Sequence, residues 1–241
     1  MNIVVRSSLH LELPSVQKVI EIAQEMVSEN RVLNTENLYN LAKSRLQIPR
    51  KGLLRIIRFL INKKILVEGS KFTRGSVLDN AYRKRIYNFI SSHLGVHFSI
   101  IKRVIFSETD NKSGSAGQLL WHLKMLIKFD YIKKVNFKKY TIFIPAELDE
   151  EIGIIFFLLR DKINKKIIDL LIHEGTIETS EVHKRIDETR ELIYYRINDL
   201  IDNNLLSEIE EENKTISLSP DKKHVLVQIF KRSINMKKNK I

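Results

Sequence analysis

WHLKMLIKFDYI, residues 121–132, decides how this chain is read, because the same phrase returns twice more. Residues 55–66 read RIIRFLINKKIL and residues 195–206 read YRINDLIDNNLL. Each copy is an amphipathic helix ending in two leucine-type core positions, then a basic or Asn-containing turn, then the apolar start of a strand. The matching core positions are Leu60, Leu126 and Leu200, with spacings of 66 and 74 residues. A period of that length is one small domain, not a solenoid repeat.

The phrase fits the end of a recognition helix in a helix-turn-helix, followed by the first strand of a wing. The surrounding sequence supplies the remaining elements. In the first copy, Pro14 opens a helix to about Ser28, Asn34 or Thr35 caps a second to about Arg45, and Pro49 suits the first turn of a third to about Lys63. Residues 65–67 and 71–73 around Glu68-Gly69-Ser70 predict a short hairpin. The second copy begins near Asp79, with a helix broken at Gly95, a helix over 98–106, a polar loop over 107–117 and a third helix over 118–129. Residues 131–135 and 140–144 then form a hairpin around 136–139. In the third copy, an apolar helix over 149–160 precedes helices over 162–173, 181–186 (capped by Ser180) and 188–203 (capped by Asp187). Strands over 205–208 and 215–218 flank an acidic turn, and a last helix runs from Ser219-Pro220 to about Arg232. The fold class this predicts is mainly α with small β-wings (α+β). Three tandem winged helices cover 1–78, 79–146 and 147–235, and a basic tail, expected to be disordered, covers 236–241.

The 241 residues carry a net charge of +12 with 43% hydrophobic residues, enough for real cores and biased toward polyanionic partners. The absence of cysteine excludes disulfides, zinc fingers and iron–sulfur clusters. The longest apolar run, residues 152–159, is too short to span a bilayer, and the N-terminus lacks the apolar core of a signal peptide. A cytoplasmic protein is expected. His93 and His97 are four apart, but Gly95 interrupts the helix between them and nothing nearby completes a metal site. With no phosphate loop, metalloprotease motif or nucleophile elbow, neither enzyme activity nor a cofactor is expected.

Residues 85–98 (RIYNFISSHLGVHF), then Ile101-Lys102-Arg103, then Trp121-His122-Leu123-Lys124, resemble archaeal predicted transcriptional regulators with tandem winged helix-turn-helix domains. The resemblance covers residues 80–145 well and 147–220 more loosely, and it leaves 1–78 unaccounted for. It implies a DNA-binding regulator. Leu94 departs from a common proline, the turn before the second recognition helix is about seven residues longer, and Leu120-Trp121 replace small polar residues.

Charge separates the modules. Residues 1–78 hold 13 Lys/Arg against 6 Asp/Glu, residues 79–145 hold 12 against 4, and residues 146–241 hold 16 against 19. Phosphate contacts dominate non-specific affinity, so double-stranded DNA is expected along the first two modules. Arg50 and Lys51 open the first recognition helix, with Arg55 and Arg58 beside its core stripe; Lys71 and Arg74 lie in the first wing. In the second module, Lys102 and Arg103, and the wing lysines Lys133, Lys134, Lys138 and Lys139, are phosphate candidates, while Gln118 and His122 are base-edge candidates. The bland alternative for all of these is a solvated polar surface. Trp121 is a packing residue or a contact to DNA or a partner. In the third module Arg190 and Arg196 sit among Glu188, Glu191 and Asp199, which favours a structural role.

The apolar helix near 150–160 is apolar nearly all round and must be buried all round. Either it is a strut between modules, or Ile152, Ile155, Phe156 and Leu159 pair with a symmetry mate in a homodimer. The competing overall reading is a protein-interaction scaffold of tandem winged helices, like subunits of ESCRT-II-type or transcription-machinery assemblies, with the partner contacting Trp121 or the acidic third module. A weaker third reading is RNA binding.

Overall fold

The computed structural model describes the backbone of residues 9–107, 115–209 and 214–238. Among the described residues the fold is mainly helical with two small antiparallel sheets, and the chain divides into two compact units, one ending at Gly153 and one beginning at Ile154.

The repeated phrase has one structural meaning in all three places. Helices α3 (Arg50–Asn62), α7 (Ala116–Lys128) and α11 (Arg190–Asp202) end on the same backbone turn. The residue two beyond each helix is left-handed: Lys64 at φ 55°, Asp130 at φ 57° and Asn204 at φ 55°. The next N–H reaches back to the core leucine, as Ile65 to Leu60, Tyr131 to Leu126 and Leu205 to Leu200, at 3.0, 2.9 and 2.9 Å. The left-handed residue itself donates to the carbonyl of Ile61, Ile127 or Ile201. This pair of bonds is the Schellman motif, which satisfies the last helical carbonyls and turns the chain back. Leu60, Leu126 and Leu200 are fully buried in each copy.

In the first unit, α1 (Pro14–Ser28), α2 (Thr35–Arg45) and α3 pack around Val16, Val19, Leu38, Leu53, Ile57 and Leu60. The Asn34 side chain caps α2 by accepting from Asn37 N. Pro49 is the cap residue before α3 rather than its first turn. The hairpin expected over 65–73 is absent. Leu33 exchanges two backbone bonds with Gly69 and Ser70, and the chain then enters the short helix α4 (Arg74–Val77), capped by Thr73. The stretch is too short and too turn-rich for paired strands, and the reciprocal capping box of Thr73 and Ser76 wins locally.

The second core begins earlier than Asp79. Val77 belongs to it, and Val67, Phe72 and Leu78 pack on it. Around it stand α5 (Ala81–His93), β1 (Val96–His97), α6 (Phe98–Ser107), α7, β2 (Ile132–Phe137) and β3 (Tyr140–Pro145), with strand order β1-β3-β2. The two-residue strand β1 escaped the sequence reading because two residues show no periodicity. The loop joining β2 and β3 is only Lys138-Lys139, tighter than expected, with Lys138 at φ 49° as primed hairpin turns require. Most of the polar loop expected over 107–117 lies outside the described residues, but α7, capped by Ser115, begins at Ala116, two residues before the expected start.

Helix α8 (Glu150–Leu158) follows, and its Gly153 lies so close to Ile144 that an added Cβ would sit 2.6 Å from the Ile144 methyl. In the second unit come α9 (Lys162–Glu174), β4 (Thr176–Glu178), α10 (Thr179–Ile186), α11, β5 (Leu206–Ile209), β6 (Thr215–Leu218) and α12 (Pro220–Lys238), with strand order β4-β6-β5. Its element order up to β6 repeats that of α5 to β3. Gly175 closes α9 at φ 81°, a conformation open to glycine. Two expected caps are corrected. Ser180 lies inside α10, and Asp187 is the left-handed residue that ends α10, while Thr189 precedes α11. The acidic turn at 210–213 and residues 239–241 lie outside the described residues, and α12 carries the backbone through 236–238, where a disordered tail was expected.

Candidate nucleic-acid interface

Helix α3 buries Leu53, Ile56, Ile57 and Leu60 on one face. Lys51, Leu54, Arg55 and Arg58 follow the i, i+3, i+4, i+7 rule on the opposite face, with Arg50 beside Leu54. All five are exposed, and among the described residues the four cations meet no carboxylate within ion-pair distance. The N-terminal turn, where Arg50 and Lys51 sit, also carries unpaired backbone N–H groups and the positive end of the helix dipole. Leu54, an apolar residue within this basic face, was missed by the sequence reading, although its spacing marked it.

The β2–β3 hairpin presents further cations. Lys134, Lys138 and Lys139 are exposed and Lys133 is half-buried. Lys138 lies over the Phe137 ring and Lys139 over the Tyr140 ring, so the loop lysines rest on aromatic faces at the hairpin tip. Lys71 is exposed in the turn before α4, not on a wing strand; Lys102 and Arg103 are exposed on α6.

Two candidates are used inside the protein instead. The Arg74 guanidinium donates to the Asp130 carbonyl at 3.2 Å and lies 5.0 Å from the Tyr131 ring centroid, while the Tyr131 hydroxyl donates to the Arg74 carbonyl at 2.7 Å. Arg74 therefore fastens α4 to the end of α7. His122 is 4% exposed and stacks on Tyr82 with ring centroids 5.8 Å apart. Burial, and then the neighbouring Arg83 charge, hold its imidazole below the ordinary histidine range. It faces the core with Leu119, Leu123 and Leu126, so a base-edge role is corrected to a packing one. The error is a matter of period: position 122 falls between 119 and 126 on the buried stripe.

Gln118 remains exposed in the first turn of α7. The rest of that helix's outer face mixes apolar side chains with lysines. Leu120, Trp121 and Ile127 are 44%, 48% and 37% exposed, interleaved with exposed Lys124 and Lys128. Trp121 is held from beneath. Arg83, itself buried, donates to the Val77 carbonyl, and its guanidinium lies 4.9 Å from the Phe72 ring centroid and 5.6 Å from that of Trp121. Desolvation lowers the Arg83 pKa from its ordinary value.

The corresponding helix of the second unit is different. Arg196 pairs with Asp161 at 2.7 Å, and Arg190 lies over Tyr194 and donates to its hydroxyl at 3.4 Å. Nearby, Lys166 meets Glu188, Arg185 meets Glu174 and Lys184 meets Glu181. In α8, Ile155 is buried within the single chain, so it offers nothing to a symmetry mate; Ile152, Phe156 and Leu159 are half-buried. This corrects the expectation that Ile155 forms a dimer contact: the chain's own fold removes it from water first. Among the described residues no group of three His, Asp or Glu side chains is placed to hold a metal ion, and no helix is long and apolar enough to cross a membrane.

No protein-family model matches the chain. An uncharacterized HTH-type transcriptional regulator of Methanocaldococcus jannaschii is 24% identical to it over 170 residues. That match takes in 69% of this chain and 41% of the relative, so it spans about two fifths of the relative's length.

Proposed function

We propose that this chain is a DNA-binding transcriptional regulator whose first unit carries the DNA surface. The observation that supports it most is the outer face of α3, where Arg50, Lys51, Arg55 and Arg58 project together with no carboxylate partner among the described residues. Unpaired arginines on one exposed helix face suit phosphate oxygens and guanine edges alike. The order helix, strand, helix, helix, two strands over residues 81–145, and again over 162–218, supports reading each as a winged helix-turn-helix, with β2–β3 as a wing whose lysines contact phosphate. The first three helices form a helix-turn-helix module without a wing. The likeness to an HTH-type regulator supports the same reading.

Binding of the full chain to labelled duplex DNA across a salt series tests it. The expected result is a log–log slope of about −3 to −7, from roughly 0.9 per phosphate contacted. Specific genomic sites should resist competitor DNA. No binding at about 50 mM salt, where non-specific affinity is strong, overturns the proposal.

A further inference from the structure

We infer that the outer face of α7 is a docking site for an acidic amphipathic helix of a partner protein, rather than a second DNA reader. The face consists of Leu120, Trp121 and Ile127 with Lys124 and Lys128, at i, i+1, i+4, i+7 and i+8. Three large apolar side chains exposed along one short helix are a patch that water disfavours, whereas isolated exposed apolar residues are ordinary.

The tryptophan is also pre-set. Its ring is fixed by the Arg83 guanidinium on one side and by the edge of His122, with centroids 5.0 Å apart. A tryptophan that is half exposed yet already ordered gives up little entropy on binding, which is the character of an interface anchor.

The chemistry of the face selects among occupants. A DNA groove presents polar base edges, and on this patch only Lys124 and Lys128 could meet them, with Gln118 to one side of it in the first turn. Placing Leu120 and Ile127 there would desolvate those edges without replacing their hydrogen bonds. A second copy of the chain packed face to face would set Lys124 and Lys128 against their own equivalents, a like-charge contact. A helix with Leu or Phe at i, i+3, i+4, i+7 and Asp or Glu along both edges satisfies both the apolar centre and the lysines. Among the described residues, Lys124 and Lys128 meet no carboxylate within the chain.

Trp121 is the sole tryptophan, so its emission reports on this face directly. The experiment selects binders to the full chain from a displayed library of helical peptides with fixed apolar positions and randomised charged positions. Acidic peptides should be enriched, shift the Trp121 emission, and bind roughly 30-fold more weakly to Trp121→Ala. Leu120→Ala with Ile127→Ala, both at exposed positions, should weaken them similarly with an unchanged circular dichroism spectrum. Lys124→Glu with Lys128→Glu should reverse the selected charge from acidic to basic. The inference is overturned if no enriched peptide depends on these residues, or if the dependent peptides have no acidic bias. It is equally overturned if duplex DNA shifts the Trp121 emission and loses affinity with Trp121→Ala, or if Trp121→Ala turns a dimer into a monomer. These outcomes are separable from the DNA proposal, which stands or falls on α3.

Discussion

Helices α3 and α11 end on the same Schellman turn and share three buried apolar positions, Leu53, Ile57 and Leu60 against Ile193, Ile197 and Leu200, but Arg196 stands where α3 buries Ile56 and the two helices meet solvent with different chemistry. On α3 four cations stand together without carboxylate partners among the described residues. On α11, Arg196 is held by Asp161 and Arg190 is drawn onto Tyr194, while Tyr195 is 64% exposed between them. The core-facing half of the repeat is fixed by the need to close a small domain; the outer half is unconstrained by folding and diverges. A cation already paired must give up that partner before meeting a phosphate, so charge count alone overstates what the second unit offers.

The largest effect that would break this comparison lies in α3. Replacing Arg50, Lys51, Arg55 and Arg58 by Ala should lower duplex affinity at least about 100-fold and flatten the salt slope by up to about 4. Removing the two arginines of α11, Arg190→Ala with Arg196→Ala, should leave affinity within about threefold. Equal losses from the two helices, measured by fluorescence anisotropy, would abolish the distinction drawn here. On the β2–β3 hairpin, Lys138→Ala with Lys139→Ala should cost about tenfold and reduce the slope by roughly 2.

Stability sharpens the comparison from the other side. Gly153→Ala drives a methyl into Ile144 and should destabilise the chain by about 1–3 kcal/mol in urea unfolding. Asp161 caps α9 by accepting from Ile163 and Asn164 and also pairs with Arg196, so Asp161→Ala should cost about 1–2 kcal/mol without touching DNA affinity. The smallest expected gain is at the shared turn. Lys64→Gly removes a side chain from a left-handed position and should stabilise by about 0.5–1 kcal/mol, and the same change at Asn204 should do less because Asn tolerates that conformation.

His122 adds a pH test. Its folded pKa is depressed, so the unfolded chain binds the proton more readily. Stability should therefore be complete above about pH 6.5 and decline as pH falls from there toward the lower folded value. His122→Phe keeps the ring on Tyr82 and removes the titration, so melting temperature should vary less between about pH 7 and pH 5; an unchanged slope would remove His122 from that dependence.

Much was legible in the chain because it depends on local spacing. The repeated phrase marked three helix ends and their buried leucines, Asn34 marked a cap, and the spacing of Arg50, Lys51, Arg55 and Arg58 set them together on the exposed side of α3. The turn at Lys64, Asp130 and Asn204 is set by bonds within six residues, so it too is written in the sequence. What the tertiary structure decided is which side chains remain available. Burial consumed His122 and Ile155, the Tyr131 ring and Asp130 carbonyl consumed Arg74, and the wing expected after α3 gave way to α4. Each of those outcomes turns on a partner distant in sequence or on competition between two local structures. A one-dimensional pattern of residue types records which groups can bond, but only the folded chain determines which have already done so.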